Sequence, residues 1–92
     1  MSLFLDQQEI FNKPIRLSIQ ERIHPIIIFN EFFTDYHLSD LRHNLWEIVQ
    51  ACITSDNPYF DDPAKRADLF MFYERIEGLL EAAHIFHLRD KA

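Results

Sequence analysis

The stretch from Asp62 to Arg89 constrains this chain more than any other. Leu69, Phe72, Ile76, Leu79, Ala83 and Phe86 follow one another at steps of three, four, three, four and three. That spacing places them on one face of an α-helix, and no strand would bring them together. Asp62 offers a side-chain acceptor to the amides of a first turn. Pro63 suits the first helical position, where its missing N–H would have had no partner. The pattern predicts a helix over 63–89, about 40 Å long at 1.5 Å per residue. A compact domain of this size is only about 30 Å across. The helix must therefore overhang its own core or be covered by something else, which points to association.

A second helix is predicted over 38–54, where Leu38, Leu41, Leu45, Ile48 and Cys52 repeat the same rhythm. Asp40 near its start suits the positive end of the helix dipole. Ser55, Asp56, Asn57 and Pro58 form a turn, with Asn57 pushed to extended geometry by the proline that follows. So short a connection makes the two helices an antiparallel αα-hairpin.

Upstream, residues 18–36 read as a helical segment broken at Pro25, which cannot sit in a helix interior. Ser18 with Glu21 three residues later is a capping-box signature. Ile15, Leu17 and Ile19 alternate with polar residues, the period of a strand. No second strand is available within the chain, so an extended entry into a helix is the favoured reading. If the alternation does form a strand, it pairs with its copy in another subunit. Ile26 to Phe33 is apolar nearly all round, Asn30 and Glu31 excepted, and is the expected centre of the core. Residues 1–17 form an N-terminal arm in which Leu3, Phe4, Leu5, Ile10 and Phe11 supply an amphipathic pattern. The expected architecture is a single all-α domain of three to four helices built on the long hairpin.

Composition narrows the function classes. With 92 residues, 48% of them apolar and nine of them Phe, the chain can build a core but no roomy, deeply enclosed active site. A net charge of −6 argues against direct nucleic-acid binding, which needs a basic face. No apolar run approaches the length of a membrane span, and no leader-like pattern is seen. Cys52 is the sole cysteine, so neither an internal disulfide nor a cysteine-based zinc site arises. A cytoplasmic setting is the expectation.

Several residues invite a chemical reading. Asp40 with His43, and Glu81 with His84, place a carboxylate three residues before a histidine, as ligand pairs do in di-iron helix bundles. Against that, Glu81 lies about 170° and His43 about 180° from the apolar stripes of their helices. His84 and His87 share one side of the long helix at a spacing that can grip a transition metal, but no third ligand is evident. Asp56, Asn57, Asp61 and Asp62 lack the spacing and glycine of a calcium loop. Cys52 occupies a core-stripe position, where a thiol is inert. No catalytic residue and no cofactor is expected.

The stronger signal is an apolar surplus. Trp46, Val49 and Ile53 form a second stripe beside the first on one helix, and Phe70, Met71 and Tyr73 lie outside the first stripe on the other. A helix that is apolar on two sides needs two sets of neighbours, which either the N-terminal segments of the same chain or a second subunit can supply. The expectation is a helical protein–protein interaction module, self-associating as a dimer of hairpins, with these six residues at the contact. The alternatives are an acidic regulatory or antitoxin-like partner of a basic protein, and a small His/carboxylate metal enzyme.

Overall fold

The structure, a computed structural model, describes residues 12–92. Four α-helices follow in order: α1 (Ile19–Ile23), α2 (Ile26–Asp35), α3 (Leu38–Thr54) and α4 (Pro63–Lys91), with a 3-10 turn at Pro58–Asp61 before α4. No strand occurs among the described residues, and the fold is all-α. The arm pattern from Leu3 to Phe11 lies outside the described residues.

Local chemistry sets each helix end. At α1 both halves of the capping box form: the Glu21 amide donates to Ser18 Oγ at 3.2 Å and the Ser18 amide to Glu21 Oε1 at 2.8 Å. Ile15 to Ser18 is thus a helix entry, held by Arg22 Nη2 donating to the Pro14 carbonyl at 2.8 Å. Pro25 stands between α1 and α2 as the N-cap of α2, one residue earlier than a first helical position. The His37 amide, at the start of α3, donates to Asp40 Oδ2 at 3.1 Å. In the hairpin turn Asn57 Oδ1 accepts from the Tyr59 amide at 3.0 Å, and Asp62 Oδ1 from the Ala64 amide at 2.9 Å. Arg66 clamps this turn to α4 by donating to the carbonyls of Phe60 and Asp61 at 2.8 and 2.9 Å.

α3 and α4 pack antiparallel: Arg42 meets Glu77 and Glu81, whereas Trp46, one turn later, meets Phe70 and Tyr73. α2 lies against the C-terminal third of α4, with Phe33 edge-on to His84 and tilted against His87 at centroid distances of 4.8 and 5.5 Å. The molecule is extended, 46 × 33 × 17 Å with a radius of gyration of 16.2 Å, against about 12 Å for a compact domain of this length.

The interior is sparse. Among the described residues Val49, at 2% exposure, is the only fully buried apolar side chain. Ile26 to Phe33, expected at the centre of the core, is at best half-buried and Glu31 is exposed. The reason is geometric: among the described residues α2 packs mainly against α4, with only the short α1 touching it elsewhere.

Candidate interaction surface

The hairpin contact is built from the stripes that the sequence pattern places second. On α3 the inward residues are Arg42, Trp46, Val49 and Ile53, and on α4 they are Phe70, Tyr73, Glu77, Leu80 and His84, again at steps of three and four. Trp46 packs on Tyr73 and Phe70 at centroid distances of 5.7 and 6.4 Å with the rings tilted, within the separations at which aromatic pairs attract. Beside it, Arg42 Nε lies 3.7 Å from Glu77 Oε2, and Nη2 lies 3.1 Å from Glu81 Oε1. Tyr73 Oη donates to Glu77 Oε2 at 3.4 Å. Burial, followed by the charge and hydrogen bond of Glu77, holds the Tyr73 phenol above its ordinary pKa. Of the six residues expected at a contact between chains, Trp46, Phe70 and Tyr73 therefore meet inside this chain, Val49 is buried and Ile53 is half-buried. Trp46 keeps 38% of its surface exposed, and Met71 keeps 60%.

The stripes expected to form the core take the opposite place. Phe72, Leu79 and Phe86 are 64, 65 and 56% exposed, and Ile48 on α3 is also exposed. Leu41, Leu45, Cys52, Leu69, Ile76 and Ala83 are half-buried. On both helices these residues lie about 100° from the centre of the contact, in the same rotational sense. Antiparallel packing sets equal offsets on the same side of a helix pair, so the two stripes merge into one apolar face. At its α2 end a groove of about 290 Å³ is lined by Ile28, Phe29, Phe32, Phe33, Leu79, Leu80 and Ala83, with no polar side chain among them.

The candidate metal ligands do not converge. Asp40 caps α3, Glu81 is paired with Arg42, and His43 is exposed on α3. Among the described residues no three His, Cys, Asp or Glu side chains come together. His84 and His87 lie with ring centroids 6.1 Å apart and serve packing between α2 and α4. His87 is 3% exposed and its Nδ1 lies 2.8 Å from Asn30 Oδ1, while Asn30 Nδ2 donates to Asp90 Oδ2 at 2.8 Å. Because the amide nitrogen faces the carboxylate, Asn30 Oδ1 is the acceptor and His87 carries its proton on Nδ1. Burial, then the electrostatic influence of Lys91 and of the neighbouring His84, lower the His87 pKa against the opposing effect of Asp90. Nδ1 of His84 is buried without a hydrogen-bond partner; the tautomer protonated on Nε2 leaves only a lone pair unsatisfied there. The sequence signal for this cluster was Asn30, the polar interruption in an apolar helix, but nothing local tied it to His87 57 residues away.

No family model, no characterised protein and no solved structure matches this chain. No helix among the described residues is long and apolar enough to cross a membrane.

Proposed function

We propose that this protein is a helical interaction module that self-associates through the apolar face shared by α3 and α4. The observation that carries the reading is the reversal of exposure on α4: Phe72, Leu79 and Phe86 face outward while the polar Glu77, Glu81 and His87 face the neighbouring helices. A chain folding for itself alone buries its most apolar stripe. The contact passes from the six residues named by sequence pattern to Phe72, Leu79 and Phe86 with Ile48 and Met71 at its margins.

Absolute mass by light scattering, over a hundredfold range of concentration, tests the reading. The expected result is a dimer that Leu79→Glu converts to monomer with its helical circular dichroism intact. A monomer at every concentration overturns self-association. If a basic protein from the source cell then restores a complex, the acidic-partner alternative takes its place.

A further inference from the structure

Resting on that reading, we infer that α4 pairs with α4 of a second copy in antiparallel orientation about Leu79. The exposed stripe is symmetric in sequence: Phe72 lies seven residues before Leu79 and Phe86 seven after. Flanking it on the N-terminal side are the bulky Arg75 and Ile76, and at matching distances on the C-terminal side the small Ala82 and Ala83.

Orientation decides what these meet. About a two-fold axis at Leu79, antiparallel helices set Arg75 against Ala82 of the second copy and Ile76 against Ala83, so each large side chain faces a small one. Parallel helices would set Arg75 against Ile76 and Ala82 against Ala83, forcing the N-terminal halves apart and leaving the C-terminal halves under-packed. Charge and dipole favour the same choice. Asp68 comes opposite Arg89 of the second copy at both ends of the contact, and the two helix dipoles oppose each other.

One feature unexplained within one chain fits this arrangement. The groove between α2 and α4 borders Ala83, so Ile76 of the second copy enters it.

A nitroxide at Ala64→Cys in a Cys52→Ala background tests the orientation, because Ala64 lies beyond the proposed contact near the start of α4. Antiparallel pairing about Leu79 separates the two labels by about 45 Å along the axis at 1.5 Å per residue. Pulsed dipolar spectroscopy is expected to give that distance, and Leu79→Glu is expected to abolish it. A dimer by light scattering with labels within about two helix diameters, roughly 20 Å, overturns the antiparallel inference and leaves self-association standing. A distance that persists in Leu79→Glu places the contact elsewhere and overturns the inference. A monomeric mass in the unlabelled protein overturns both readings.

Discussion

Leu79→Ala measures what the outward face contributes. Leu79 is 65% exposed in the single chain. Complete burial of a leucine side chain is worth about 1.5–3 kcal/mol, so removing from water what is still exposed is worth about two thirds of that. Alanine keeps the Cβ, and the loss per chain comes to about 1–1.5 kcal/mol. Two copies meet at the two-fold axis, giving about 2–3 kcal/mol per dimer and a dissociation constant raised about 30- to 150-fold. Sedimentation equilibrium across a dilution series measures it. Ile85→Ala is the control: Ile85 is also an exposed apolar residue of α4 but lies about 120° around the helix from Leu79, and its dissociation constant is expected to stay unchanged. Equal losses for the two variants, or none for Leu79→Ala, would refute the assignment of this face.

Other substitutions separate the fold from the contact. Gly78→Ala is expected to raise the stability of the fold by about 0.5–1 kcal/mol in urea unfolding, since helix propensity improves and the new Cβ has open space, and to leave the dimer unchanged in the same sedimentation assay, since Gly78 lies about 100° around the helix from Leu79. Val49→Ala is expected to cost about 2 kcal/mol of unfolding free energy through a cavity at the most buried apolar position. The folded fraction should keep its dimeric mass. Acidification is expected to destabilise the fold through His87. Its folded pKa is lowered from 6.5, so the unfolded chain takes up the proton first and the neutral form's contribution is complete above pH 6.5. Stability then falls as pH drops from 6.5 through the lower folded value. His87→Gln, which keeps a donor for Asn30 without titrating, should flatten that part of a urea-midpoint-against-pH curve, and an unchanged slope would assign the effect to other groups.

Much of the secondary structure was legible because its causes are local. The Ser18–Glu21 capping box, Asp62 before Pro63 and Asn57 before Pro58 each act within a few residues, and the structure forms the capping contacts at all three. The three-four rhythm likewise gave the phase of α3 and α4 before any contact was known. The site was less legible, because each of those helices has two stripes that could face inward. Periodicity locates both and ranks them only by apolarity, which here favours the outward one.

Sequence alone thus determined that the chain is helical, where its long helices start and that it has more apolar surface than one packing partner covers. Only the tertiary structure decided which stripe closes the hairpin. Trp46 meets Phe70 and Tyr73 while Arg42 meets Glu77 and Glu81, contacts between residues more than twenty apart. Helical phase is set by neighbours along the chain, but the inward face is set by which distant side chains fit one another. That choice leaves Phe72, Leu79 and Phe86 facing outward.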